Sequence, residues 1–357
     1  MSAHRPQRGG IVRILLLLLL AGALVAGWGW WQLQQFANRP LAVADAEATL
    51  LVSRGDNLAN VLRKLQQAGI DTGDDLYWRL AARQLGTGGR IQVGEYALGR
   101  GITPARLLGD MRDGKVLRRR FTIIEGWNIR DLRSALARTP LLEQTIADMD
   151  DAALMAALGA PGQHPEGRFL PETYDFVRGD SDLAVLRRAH AAMTTALADA
   201  WQARSPDSPA RTAEELLTLA SIVEKETGIA EERAQIAGVF ARRLKIGMRL
   251  QTDPTVIYGM GAAYAGNISR ADLQRDTPYN TYTRDGLPPT PIAMPGKAAL
   301  QAAANPQAGD TLYFVAVGDG SGRHVFSRSL AEHNAAVARY VQRYREQRAA
   351  ERAAAPQ

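Results

Sequence analysis

The first strong pattern along the chain is an uninterrupted apolar run, Ile14 to Trp31, reading ILLLLLLAGALVAGWGWW. It carries no charge over about 18 residues, enough at ~1.5 Å per residue to span bilayer hydrocarbon. Arg5, Arg8 and Arg13 precede it, and no Lys or Arg follows until Arg39. The positive-inside bias therefore places the N-terminus in the cytoplasm and the rest of the chain on the far side. Trp28, Trp30 and Trp31 close the run, where indoles favour the membrane interface. The run is longer than a signal-peptide core of ~7–15 residues and no small-residue cleavage site follows it. It reads as an uncleaved transmembrane helix over residues 14–34, with residues 1–13 cytoplasmic.

Beyond a short linker at Asn38–Asp45 the periods change. A strand near Ala48 precedes a helix with Val61, Leu62 and Leu65 at helical spacing, capped by Asp56 or Asn57. A second helix follows near Asp74–Gln84, then a strand-like Gly94–Leu98. Thr103-Pro104 opens a helix carrying Leu107, Leu108 and Met111 on one face. Val116–Ile124 reads as a strand, a helix follows near Ile129–Ala137, and a further helical stretch runs to about Leu158. A Gly/Pro-rich loop leads to the aromatic and acidic segment Arg168–Phe176, and Asp182–Ala203 reads as a long helix with Ser181 or Asp182 as cap. Thr212 and Glu215 have the spacing of a capping box.

The helix that follows carries Leu216, Leu219, Ala220 and Val223 on one face, and Glu224 and Glu226 fall on opposite flanks of that stripe. Both can sit at the border of a core, where partial desolvation raises a carboxyl pKa and keeps an acid protonated near neutral pH. Periodicity does not choose between them. A second helix and a polar turn, Gln251-Thr252-Asp253-Pro254-Thr255, come next.

Composition narrows the chemistry. With 357 residues, 46% hydrophobic and 22% charged, the chain is globular over most of its length. No cysteine is present, which excludes disulfides, Cys-ligated zinc and thiol catalysis. The net charge of +6 comes without a dense basic tract; Arg118-Arg119-Arg120 reads as a solvated strand edge, and no nucleic-acid partner is expected. The histidines lack metal-ligand spacing, so neither metal nor cofactor is expected. Gly318–Arg323 reads as a hairpin turn between Thr311–Val317 and His324–Ser327.

Several segments together resemble one family. Ile222-Val223-Glu224-Lys225-Glu226 is followed by Gln251-Thr252-Asp253-Pro254-Thr255-Val256, then by Pro278-Tyr279-Asn280-Thr281-Tyr282 and Gly286-Leu287-Pro288-Pro289-Thr290-Pro291-Ile292. Gly94-Glu95-Tyr96 and Arg168-Phe169-Leu170-Pro171-Glu172-Thr173-Tyr174 precede them. From about residue 46 to 340 the chain resembles the endolytic murein transglycosylases of the MltG (YceG-like) type. The resemblance implies an α+β fold: the transmembrane helix, a LysM-like subdomain over 46–115, a mixed α/β YceG-like catalytic domain over 116–342 and a charged tail, 343–357. It implies lytic cleavage of the MurNAc-β-1,4-GlcNAc bond of nascent peptidoglycan strands, leaving 1,6-anhydroMurNAc ends, with Glu224 as the catalytic residue. Gln251, Thr252, Asp253, Tyr258, Tyr279, Asn280, Thr281, Tyr282 and Glu226 are candidates for the substrate groove; Glu166 and Glu172 are either neighbours of it or solvated loop charges. The implied setting is the cell inner membrane, single-pass, with the catalytic domain periplasmic and penicillin-binding proteins or other peptidoglycan synthases as partners. The rival readings are a non-catalytic peptidoglycan-binding scaffold protein and a hydrolytic muramidase, which would need a second carboxylate such as Asp253.

Overall fold

The computed structural model describes residues 8–354, so parts of the expected cytoplasmic segment and charged tail lie outside the described residues. The chain divides into two compact units at Arg119/Arg120. Both mix helices with short two-stranded sheets, as an α+β fold requires.

Helix α1 (Arg8–Asn38) opens the first unit. Within Val12–Asn38 the most apolar 18 residues have a mean hydropathy of 2.1, and the stretch is long and apolar enough to cross a membrane. Leu15–Leu20, Leu24 and Val25 are all exposed, so no protein core covers them. The helix does not stop at residue 34. No breaker occurs before Pro40, and its last turns bury Leu33 and Ala37. Phe36 stacks on Tyr77 at 5.3 Å and meets Trp78 edge-on at 5.7 Å. The helix therefore ends at Asn38, the first residue of the expected linker, with the turns before it docked on the core of this unit.

Strand β1 (Thr49–Val52), α2 (Leu58–Gln67), α3 (Asp75–Gln84), β2 (Gly94–Ala97) and α4 (Pro104–Asp113) follow in the expected β-α-α-β-α order. The caps explain the boundaries: Asn57 accepts from Asn60 N–H, Asp74 from Leu76 N–H and Thr103 from Arg106 N–H. Asp56 is not a cap; it pairs with Lys64 at 2.5 Å. β1 and β2 pair antiparallel with Leu50 opposite Tyr96. The core holds Trp78, Leu65, Leu98, Leu107 and Met111, all fully buried. Arg119 is not a solvated edge charge as its basic run suggested. It forms an ion pair at 2.7 Å with the buried carboxylate of Glu95, which also accepts from Thr49 Oγ1 at 2.8 Å.

Strand β3 (Arg119–Thr122) pairs with β4 (Thr173–Phe176), and Ile123 N–H donates to Glu172 O at 3.0 Å. The expected helix at Ile129–Ala137 is α5 (Ile129–Ala137), and of the helical stretch expected after it only α6 (Asp151–Ala157) is helix. Pro140 cannot continue a helix and Leu141 takes a left-handed φ of 70°, so the chain turns between them. α7 (Asp182–Gln202) starts at the Ser181 cap.

α8 (Ala213–Glu226) is capped by Thr212 Oγ1, which accepts from Glu215 N–H, but the box does not close. The Glu215 carboxylate accepts from Arg211 N–H instead. The single-stripe reading of α8 is also corrected. Every residue from Leu216 to Val223 is buried, because α7, α9 (Arg233–Lys245) and α12 (Lys297–Ala304) surround it. Ala299, Ala302, Ala303 and Ala304 are buried with it, small residues that let α12 approach closely. The polar groups inside are satisfied: Ser221 Oγ donates to Thr218 O at 2.7 Å and accepts from Ile292 N–H at 3.0 Å. α8 is thus an apolar axle whose C-terminal turn emerges at Glu224.

α10 (Asp253–Met260) begins inside the segment expected to be a polar turn, since Pro254 suits a first helical turn. α11 (Arg270–Gln274) is short. β5 (Tyr313–Ala316) and β6 (His324–Ser327) form the expected hairpin, with Phe314 opposite Phe326. α13 (Leu330–Ala354) closes the chain as a helix.

Candidate active site

Glu224 is half-buried on the last turn of α8, and its Oε2 accepts the Gly296 N–H at 2.9 Å. Two reciprocal backbone bonds bring that glycine's segment here: Gly126 N–H donates to Met294 O at 3.0 Å and Met294 N–H to Trp127 O at 2.7 Å. Gly296 also lies against the Glu125 side chain: a β-carbon there would have to push the Glu125 carboxylate aside. Burial raises the pKa of Glu224; the Gly296 N–H pulls it back, and the nearby Glu125 charge raises it further. Arg233 lies close enough to oppose that rise, and it reaches Glu125 at 3.9 Å. Glu125 and Arg233 escaped sequence reading because a lone charge in a turn and another at a helix start carry no local signal.

Glu226 is also half-buried, on the other flank. It accepts a hydrogen bond from Thr252 Oγ1, and burial pushes its pKa up to about 7 against that bond. Thr252, Asn280 and Thr281 form a buried network. Thr252 N–H donates to Thr281 Oγ1 at 3.1 Å, and Thr281 Oγ1 meets Thr255 Oγ1 at 2.9 Å. The Asn280 amide donates to Leu273 O and Arg275 O and accepts from Tyr282 N–H. Their polar atoms are engaged with the protein, and the network fixes the backbone at Gln251, which is exposed with a φ of 49°. Asp253, exposed, accepts from Tyr282 O–H at 2.6 Å. Tyr279 O–H meets Thr290 Oγ1 at 2.8 Å, and its ring packs edge-on to Tyr258 at 4.8 Å.

A cavity of about 510 Å³ lies beside this end of α8. Gly126, Arg130, Lys225, Tyr258 and Ile292 contribute to its walls. Of the candidate residues, Tyr258 lines it; Glu224 does not, but its chain neighbour Lys225 does. Lys225 Nζ donates to Gly126 O at 3.2 Å, on the turn that also carries Glu125. Beneath the Tyr258 wall is Glu166. It is not a solvated loop charge: it is 0% exposed, both oxygens accept from Ile129 N–H at 3.1 Å, and Tyr258 O–H donates to it. Burial pushes its pKa up to about 7. Glu172, by contrast, is exposed and pairs with Lys297.

Such an arrangement suits proton transfer: carboxyls held above their ordinary pKa beside a sugar-sized concavity can donate a proton near neutral pH. Comparison with known proteins agrees with the family wording. A model of the YceG-like family matches residues 50–339. A Bacillus subtilis (strain 168) protein named endolytic murein transglycosylase is 32% identical over 268 residues, 70% of this chain and 73% of that protein. A Streptococcus pneumoniae serotype 2 protein of the same name is 32% identical over 215 residues, 59% of this chain and 37% of that longer protein. The crystal structure of a YceG-like protein from Listeria monocytogenes is 28% identical, covering 80% of this chain and 98% of that one, with a TM-score of 0.52. With the family match spanning both units and a relative this similar over most of its length, the chain belongs to the YceG-like family.

Proposed function

We propose that this chain is a peptidoglycan lytic transglycosylase that cuts nascent glycan strands internally, at the MurNAc-β-1,4-GlcNAc bond. The observation that carries the reading is the Glu224 carboxyl, half-buried where α8 emerges, with a raised pKa and one oxygen seated on the Gly296 N–H. The names of the bacillary and streptococcal relatives support the activity and the substrate.

In the proposed reaction Glu224 gives its proton to the glycosidic oxygen as the bond from muramic C1 breaks. The resulting carboxylate then takes the proton of the C6 hydroxyl of the same sugar, whose oxygen attacks C1. A 1,6-anhydro end forms and no water is consumed. One carboxyl serves both steps because the nucleophile is already tethered to the reacting carbon. Gly296 N–H holds the carboxyl in place, and the Glu125 charge keeps it basic enough for the second step. The Thr252–Thr281–Asn280 network acts by holding the loop that presents Gln251, Asp253, Tyr279 and Tyr282.

The remainder of the reading concerns setting. α1 anchors the chain in the inner membrane with residues 1–13 cytoplasmic, which the arginines before it and their absence after it support. Residues 116–342 form the periplasmic catalytic domain, and 46–115 a LysM-like block that grips glycan; the β-α-α-β-α order supports the latter. Peptidoglycan synthases such as penicillin-binding proteins are the expected partners.

The test is to digest purified glycan strands with the detergent-solubilised full chain and to identify the new ends by mass spectrometry. Anhydro ends that disappear in Glu224→Gln support the reading. Reducing ends point to a hydrolase, intact strands to a binding protein, and anhydro ends that persist in Glu224→Gln remove Glu224 from the role of acid.

A further inference from the structure

The cavity beside α8 carries two cations that form no salt bridge among the described residues: Arg130 feels the buried Glu166 charge and Lys225 that of Glu224, each without an ion-pair contact. Lys225 gives one hydrogen to Gly126 O at 3.2 Å, and an ammonium has two more to offer. Arg130 lies with its guanidinium 5.9 Å from the centre of the Tyr258 ring and forms no ion pair among the described residues. Both side chains are exposed, so neither is there to fill a core. Asp131 supplies a carboxylate to the lining, but its Oδ2 accepts Asn128 N–H at 3.1 Å and closes the cap of α5. Glu166 lies underneath, turned to Ile129 N–H and Tyr258 O–H. The cavity thus presents an unfilled positive pair above an aromatic and aliphatic wall of Tyr258 and Ile257.

We propose that this cavity is a carboxylate subsite in which Arg130 and Lys225 take a free carboxylate of the peptide stem on the muramic residue being cleaved. The inference rests on the transglycosylase reading, because Glu224 as the acid is what sets the scission point next to Lys225. The stem hangs from the lactyl ether of the same sugar whose C1–O bond breaks, so its first residues lie within a sugar's width of the acid. A guanidinium fork and a mobile ammonium together suit a planar carboxylate. A volume of about 510 Å³ exceeds what one carboxylate fills and accommodates a short peptide against Tyr258. The enzyme would therefore discriminate stem-bearing strands from bare glycan.

The experiment measures binding without turnover. Full-length Glu224→Gln protein in detergent is titrated with stem-bearing strand fragments and with the same fragments stripped of their stems by an amidase. Stem-bearing fragments are expected to bind about tenfold tighter or more, the gain of charge-assisted hydrogen bonds. Adding Arg130→Gln or Lys225→Gln should each cut that ratio at least about threefold while leaving affinity for stripped fragments unchanged, and amidating the stem carboxylates should do the same. A ratio near one, a ratio indifferent to both substitutions, or equal loss on both ligands overturns the subsite. Failure of the transglycosylase reading shows separately, as wild-type digests without anhydro ends.

Discussion

Glu166 offers the sharpest test of how the site's electrostatics are built. Its carboxyl is 0% exposed, and burial lifts it from an ordinary value of 4.5 to about 7. Below about pH 4.5 the folded and unfolded chains both hold the proton. Between there and pH 7 the unfolded chain releases it while the folded chain keeps it, so the folded state binds more protons and stability falls as pH rises. A gap of about 2.5 pH units, at 1.36 kcal/mol each, amounts to on the order of 3 kcal/mol, complete once the pH exceeds the folded value. Glu166→Gln removes the titration while keeping an oxygen for Ile129 N–H. Urea unfolding of the full chain in detergent, followed by circular dichroism, should show the variant gaining about 3 kcal/mol on the wild type between pH 4.5 and pH 8. Glu226 titrates in the same window in both proteins, so their difference isolates Glu166. A difference that stays flat across that range would mean that the buried carboxyl is not destabilised by ionisation, and the electrostatic account of Glu166 would fall with it.

Other consequences are open to direct measurement. Glu224→Gln should lower anhydro-end release by at least ~10²-fold and Glu226→Gln by less than about tenfold, with end-group analysis as the readout; the reverse order would exchange their roles. Wild-type release should decline as the pH rises through the raised pKa of Glu224, because the acid form does the first step. Gly167 has a φ of 78°, and a β-carbon there would sit 2.7 Å from Pro291 Cβ, so Gly167→Ala should cost about 2–5 kcal/mol in thermal unfolding; an unchanged melt contradicts that geometry. Trp78 is fully buried and its indole donates to Thr72 O at 2.8 Å. Trp78→Ala should destabilise the first unit by about 3–5 kcal/mol, seen as an earlier calorimetric transition, and no shift would refute its place in that core.

The elements were legible where one residue's chemistry acts on its own neighbours. Asn57, Thr103 and Ser181 satisfy helix N-termini within three residues, so their helices start where the spelling places them. The run Ile14–Trp31 declares a helix by length and apolarity alone. The Thr212 box failed within the same range, because Arg211 N–H competes for the Glu215 carboxylate.

What only tertiary structure decided is everything that depends on distant chain segments meeting. Periodicity placed Glu224 and Glu226 at the edge of a stripe, but enclosure of α8 on all sides puts them at the end of a buried axle instead. The Gly296 N–H that holds Glu224 comes from 72 residues away, and the oxygen that anchors Lys225 from 99. Sequence left Glu166 as either a groove neighbour or a loop charge, and burial against Ile129 and Tyr258 decided between them by raising its pKa. The sequence by itself determined the long apolar helix, the order of elements and which carboxylates stand near an apolar helix end. Their protonation and their neighbours were settled by folding, since a pKa answers to the dielectric and the charges within a few ångströms, and those are assembled only in three dimensions.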